Sequence, residues 1–289
     1  INVILNYLLI FGKFGFPELG IVGAAIGTLI SRIGMLIFLA LILRSKDKFK
    51  PYVERFKWRN IKKKVLKKII DLGFPSALQM LFEVVIFTAA VWLSGSLGKN
   101  PQAANQIALN LSSMTFMIAI GLGVAAMIRI GNQKGLKNFK ELRRIAFSIF
   151  LLTIFIEFIF ALLFLIFHKE LPKLYLDQND LLNELDNFEV IAIAAKLLLV
   201  AAIFQISDGV QVVVLGALRG LQDVKIPTFI TFIAYWMIGL PICYFLAKEE
   251  VLGSVGIWIG LLAGLTSSAI MLYIRFNYLT KQLIHKQTI

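Results

Sequence analysis

Two carboxylates carry the case for chemistry in this sequence, Glu83 and Asp208, because each falls in the middle of a long apolar stretch where a charge is costly to keep. Glu83 lies twelve residues beyond Asp71 and about as far from the other end of its stretch. In a helix rising ~1.5 Å per residue that places it roughly 18 Å from either edge. Asp208 lies twelve residues after Lys196 and eleven before Arg219. A charged side chain at such a depth costs on the order of 2.5 to 3.5 kcal/mol on insertion scales, and where it is retained it faces an interior or a wet cavity. A carboxyl held there can exchange a proton for a cation, which is the chemistry of ion coupling. The plainer alternative is a neutral carboxyl hydrogen-bonded to a neighbouring helix for structure alone.

The remaining polar residues in apolar surroundings sort by environment. Glu157 in IFIEFIF is as deep but flanked by bulky apolar residues, so structural and functional roles stand level. Lys196 lies within about two turns of a span end, where it can snorkel or pair with Glu189. Gln79, Met80, Asn105, Gln106, Asn110, Met114 and Met117 give a cavity wall a mixed polar and soft apolar character suited to varied organic cations, although methionines at helical spacing more often simply pack. Pro75 and Pro241 sit inside spans and loosen them. Gly121, Gly123 and Ala126 spell GxGxxA, but late in a span and with no strand ahead, so dinucleotide binding is rejected. A single cysteine, Cys243, allows no disulfide within the chain, and His168 and His285 belong to no cluster and no HExxH. A zinc enzyme is excluded, no catalytic residues are assigned, and no resident cofactor is expected.

These residues need elements to place them, and the composition says which. Of the residues 58% are hydrophobic and only 16% charged, and the mean hydropathy is +0.81, beyond what a soluble core can hide. Apolar stretches of about twenty residues recur, each long enough to cross the hydrocarbon layer as a helix. The sequence predicts a partial span at 1–11 and full spans near 22–43, 69–93, 107–128, 145–167, 190–217, 228–247 and 255–273. Lys and Arg crowd the connections 44–68 and 129–144 and the tail from Arg275. The intervening connections are poor in them, and the long one carries Glu170, Asp177, Asp180, Glu184 and Asp186. By the positive-inside rule the basic segments face the cytoplasm and the others face outward. The net charge of +13 is then a topology signal read against anionic lipid, with no nucleic acid implied. The chain opens inside an apolar run without Met or a charged flank, and reads as truncated.

An internal repeat organises the spans. Residues 19–30 read LGIVGAAIGTLI and residues 252–263 read LGSVGIWIGLLA, both opening an outside-to-inside span. The repeat is therefore parallel, as in transporters built from two like halves; the simpler reading is small residues spaced for close helix packing. On the repeat, each half holds six helices. The expected organisation is the end of an amino-terminal lobe at 1–43, a basic cytoplasmic linker at 44–68, a carboxyl-terminal six-helix lobe at 69–276 and a cytoplasmic tail at 277–289.

Taken in order, FGKFGFPELGIVGAAIGTLISR at 11–32, GFPSALQMLFE at 73–83, AANQIALN at 103–110, GLGVAAMIRIGNQKG at 121–135 and QISDGVQVVVLGALRGLQDVKIP at 205–227 resemble the multidrug and toxic compound extrusion (MATE) family over nearly the whole chain. The resemblance implies an all-α, polytopic membrane helix bundle: one complete six-helix lobe plus the last one to two helices of the other. It implies an antiporter in the cell membrane that exchanges Na+ or H+ for drug-like organic cations and works as a monomer. In the family a glutamate and an aspartate of the carboxyl lobe bind the coupling cation, and these fall on Glu83 and Asp208. A tyrosine one turn before that aspartate often joins them, where Phe204 stands here and lacks the hydroxyl. Asn2 and Asn6 match asparagines of the amino-lobe site in some members. The alternatives are a lipid-linked oligosaccharide flippase of the same superfamily, for which the spans are poor in Arg and Lys, an intramembrane protease, for which SDG at Asp208 lacks GxGD, and a passive scaffold.

Overall fold

The computed structural model describes residues 1–47, 49, 62–176, 184–248 and 250–288, and each expected span is a helix in it. The helices are α1 (Asn2–Ile10), α2 (Gly20–Ser45), α3 (Lys63–Ser96), α4 (Lys99–Gly135), α5 (Phe139–Phe167), α6 (Glu184–Gly220), α7 (Lys225–Leu246) and α8 (Gly253–Thr288). Seven of them, α2 to α8, are long and apolar enough to cross a membrane. Asp177 and Asp180, and most of the basic linker, lie outside the described residues.

Most helices overrun their expected ends, and the reason is physical. Lys63, Lys64, Lys67 and Lys68 are good helix formers, so α3 starts well before its apolar segment. Hydropathy registers the membrane-depth part of a helix and misses the turns that continue it into water. The same holds for Arg129 to Lys134 in α4 and for the stretch after Arg275 in α8. The helix α7 is not uniform: Ile233–Gly239 is π-helical between two α-helical pieces. Pro241 stands two residues past it; it has no N–H for the Met237 carbonyl, and its ring crowds that group, so the backbone widens there.

The chain divides into two compact units, Ile1–Lys67 and Lys68–Ile289. In the first, α2 rests on α1 through glycines: a Cβ on Gly23 would strike the Leu9 carbonyl, and one on Gly27 would lie 2.5 Å from Asn6 Oδ1. In the second, α6 runs through the middle and packs on α4, α5 and α8. The junctions are again glycine on backbone. Gly216 abuts Gly123 of α4, Gly220 lies against the Met127 carbonyl, and Gly256 and Gly260 of α8 abut Leu246 and Cys243 of α7. The repeated segments thus do the same thing in both units, each setting its two glycines four apart against the backbone or a side chain of the preceding helix. Gly123 and Ala126 of the GxGxxA string are buried packing positions.

Candidate functional site

Within the larger unit the core is not continuous. One apolar cluster holds Leu111, Phe164, Phe204, Trp258 and Leu265; the other holds Ala126, Phe150, Val213, Leu272 and Phe276. On each of four helices a polar step falls between them: Ser112 and Thr115 on α4, Thr153 and Glu157 on α5, Gln205, Asp208 and Gln211 on α6, Ser268 on α8, all buried. Four crossing helices therefore share one polar layer at mid-length, and Asp208 lies in it.

Part of the layer is internally satisfied. Thr115 Oγ1 donates to Gln205 Oε1 at 3.0 Å, Gln205 Nε2 donates to the Glu157 carbonyl at 3.4 Å, and the Ser207 and Thr266 hydroxyls are 2.9 Å apart. The rest is not: Asp208 Oδ1 and both Glu157 carboxyl oxygens are buried with no hydrogen-bond partner among the described residues. Glu157 is brought to Asp208 by Gly209, where a Cβ would lie 2.7 Å from Glu157 Cγ. The missing side chain lets α5 carry a third carboxylate beside the second, and Glu157 is 1% exposed.

Glu83 comes from α3, which is fastened to the unit by side chains. The Phe82 ring sits 5.2 Å from that of Phe232, and Phe87 meets Phe204 edge to face at 6.1 Å. Ile86 reaches Gly239. Glu83 lies within electrostatic range of both Asp208 and Arg219. The two acids singled out in the sequence share one neighbourhood, with Glu157 as a third member. Among the described residues no group of three Asp, Glu, His or Cys side chains is placed to hold a metal ion.

The other sequence candidates fall in different places. Phe204 is buried and packs edge to face on Trp258 as well as Phe87. Gln79 is a clamp: its amide donates to the Val224 carbonyl and to Thr228 Oγ1, both at 3.0 Å, and its oxygen accepts from Arg219 Nη2 at 2.9 Å. Gln79→Leu strands the half-buried guanidinium and is expected to cost ~1 to 3 kcal/mol. Thermal unfolding in detergent checks this, with Gln79→Glu, which keeps an acceptor, falling less. Met80, Gln106, Asn110, Met114 and Met117 are exposed, the last four along one face of α4, and Asn110 accepts from the Tyr175 hydroxyl at 2.8 Å. Asn105 is buried and accepts from Trp258 Nε1 at 2.9 Å. Glu189 accepts from Asn100 at 2.6 Å, and Lys196 is exposed. In the first unit Asn6 Nδ2 donates to Asn2 Oδ1 at 3.3 Å, leaving the buried Asn6 Oδ1 without a partner among the described residues.

Sequence reasoning missed Tyr235, Gln211, Ser268 and Arg219. Gln211 carries a readable signal, one helical turn past Asp208 on the same face. Tyr235 carries none, because a tyrosine in an apolar run looks like any membrane aromatic.

Comparison with known proteins bears on this geometry. The MatE family model matches residues 75–245. The multidrug resistance protein MdtK of Proteus mirabilis is 36% identical over 286 residues, 98% of this chain and 61% of that protein. The multidrug resistance protein NorM of Photobacterium profundum is 35% identical over 285 residues, 97% of this chain and 60% of that one. The chain thus spans about three fifths of the length of the curated relatives it matches. The crystal structure of the eukaryotic MATE transporter AtDTX14 superposes with a TM-score of 0.82 over 99% of this chain and 62% of that chain at 22% identity, which shows a shared fold.

Proposed function

Because this chain belongs to the MatE family, we propose that it works in a cation-coupled antiporter that exports drug-like organic cations across the cell membrane. The observation that carries the reading is the buried polar layer, in which Asp208 and Glu157 keep unpartnered oxygens and Glu83 stands within electrostatic range. Uncompensated carboxylates at mid-membrane are costly, and they persist where they bind and release a cation. An inward-negative potential adds ~2.3 kcal/mol per charge per 100 mV to that binding.

The assignment of parts follows. Residues 69–276 form one lobe, residues 1–43 end the other, 44–68 link them and 277–289 form a tail. Glu83 and Asp208 take the coupling cation, Na+ or H+, with Phe204 beside them as packing. Asn2 and Asn6 serve an amino-lobe polar site, supported by the orphaned Asn6 oxygen. Gln106, Asn110, Met114 and Met117 present a face too polar for lipid and suited to a drug-binding wall, with Met80 on α3 and Gln79 behind it as a brace. The working unit is a monomer.

The test is ethidium efflux from drug-sensitive cells and vesicles carrying the complete gene product, with inward Na+ and H+ gradients imposed separately. One gradient is expected to accelerate efflux severalfold and its collapse to stop it. Efflux indifferent to both gradients overturns the reading.

A further inference from the structure

A second group of orphaned polar atoms lies near the same acids. Tyr235 of α7 is 1% exposed, and its ring is buried. Its hydroxyl sits beside the side chains of Gln211 and Ser268 and within electrostatic range of Asp208 and Glu83. Yet the Tyr235 hydroxyl, both amide atoms of Gln211 and the Ser268 hydroxyl have no well-formed hydrogen bond among the described residues, and neither does Asp208 Oδ1. Gln211 and Ser268 are completely buried. Leaving one such group unpaired costs ~1 to 3 kcal/mol, so three neighbouring neutral groups without a well-formed bond, near a carboxylate with an open oxygen, call for a ligand.

The backbone is shaped to bring the tyrosine there. Tyr235 lies within the π-helical stretch of α7, a rare, wide geometry that often marks functional sites. Gly264 of α8 lets the π-helical stretch come close, since a Cβ there would lie 3.1 Å from Gly239 Cα and 3.3 Å from the Ala234 carbonyl. The position one turn before Asp208 is Phe204, which offers no oxygen and is packed between Phe87 and Trp258.

We infer that the Tyr235 hydroxyl, the Gln211 amide oxygen and the Ser268 hydroxyl are the neutral ligands that complete a hard monovalent cation site on Asp208, with Tyr235 supplying from α7 the oxygen that Phe204 lacks. The chemistry fits: neutral oxygens replace the hydration shell of an alkali cation, while the carboxylate balances its charge. Such a set exceeds what a proton needs, since one carboxyl suffices for that. The inference rests on the antiport reading and specifies its ion site.

The experiment uses the complete protein reconstituted in liposomes, with Na+ titrated against choline at constant ionic strength. Half-saturating Na+ for ethidium efflux and Na+-induced stabilisation are measured for wild type, Tyr235→Phe, Ser268→Ala and Asp208→Asn. Tyr235→Phe and Ser268→Ala are each expected to raise half-saturating Na+ about tenfold while leaving the maximal rate within about twofold, as befits a lost hydrogen-bond-strength contact to a charge. Variants that lower the rate or the melting temperature but leave half-saturating Na+ unchanged overturn the assignment and leave Tyr235 as packing. Either variant suffices if the other fails to fold. A wild type that responds to pH and not to Na+ overturns the ligand set while sparing antiport. An Asp208→Asn protein with an intact Na+ response overturns the placement of the site on Asp208, and a wild type whose efflux answers neither Na+ nor pH overturns the antiport reading itself.

Discussion

Asp208→Asn is expected to reduce drug efflux by the complete protein to the level of cells lacking it, with no loss of folded protein from the membrane. Asparagine keeps the shape of aspartate and one acceptor oxygen, puts an NH2 donor in place of the other, and removes the charge and the exchangeable proton. Asp208 is 6% exposed, and a neutral amide at that depth is cheaper to hold than a carboxylate, so insertion and thermal stability are expected to hold or improve. Coupling has no such substitute: a site that binds no cation cannot favour one arrangement of the transporter over another. The measurement is ethidium or fluoroquinolone efflux set against protein abundance from fluorescence-detected size-exclusion profiles. Undiminished efflux at normal abundance removes Asp208 from the mechanism.

The largest structural effect is expected at the crossing of α4 and α6. A Cβ on Gly216 would overlap the Gly123 carbonyl, with the Gly123 Cα 3.1 Å away. Backbone cannot rotate aside as a flexible side chain does. Overpacking by single methylenes costs ~1 to 3 kcal/mol, and Gly216→Leu adds four carbons at a point where two helices touch main chain to main chain. The expected outcome is loss of the monodisperse peak and of the cooperative melt, and with it loss of efflux. Gly121→Leu is the control, because a Cβ at Gly121 meets nothing within 4 Å. It lies two residues from Gly123 in the same string, so a normal Gly121→Leu protein beside a failed Gly216→Leu protein isolates the helix contact as the cause. Tolerance of leucine at Gly216 means the two main chains do not touch there.

The helices and their order were legible because each apolar run is long and the basic connections alternate between them, which few other architectures produce. Helix ends were not, because Lys63 to Lys68 and Arg129 to Lys134 are helical by propensity and tertiary context while reading as loop by hydropathy. Glu83 and Asp208 stood out because a carboxylate at mid-span is conspicuous. The glycine repeat at 19–30 and 252–263 was visible as sequence, but its meaning, contact with the preceding helix, needed Leu9 and Leu246 in place. Glu157 stayed level between roles because its own neighbours are phenylalanines and isoleucines. The residue that recruits it is Gly209, on another helix. Tyr235 depends on the π-helical widening before Pro241, which no periodicity announces, and Gln79 reads as a cavity residue until its three partners are seen.

The two ways in which helices are fastened here have unequal mechanical consequences. At Gly216 on Gly123 and at Gly256 and Gly260 on α7, register is locked, since sliding by one turn would drive a Cα bearing a side chain into a carbonyl. The rings of Phe82 and Phe87 against Phe232 and Phe204 hold α3 through side chains instead, at contacts that a rotamer change can adjust. Gln79 adds its bonds to Val224, Thr228 and Arg219, so the seat of α3 can be weakened one side chain at a time, whereas a glycine crossing fails all at once.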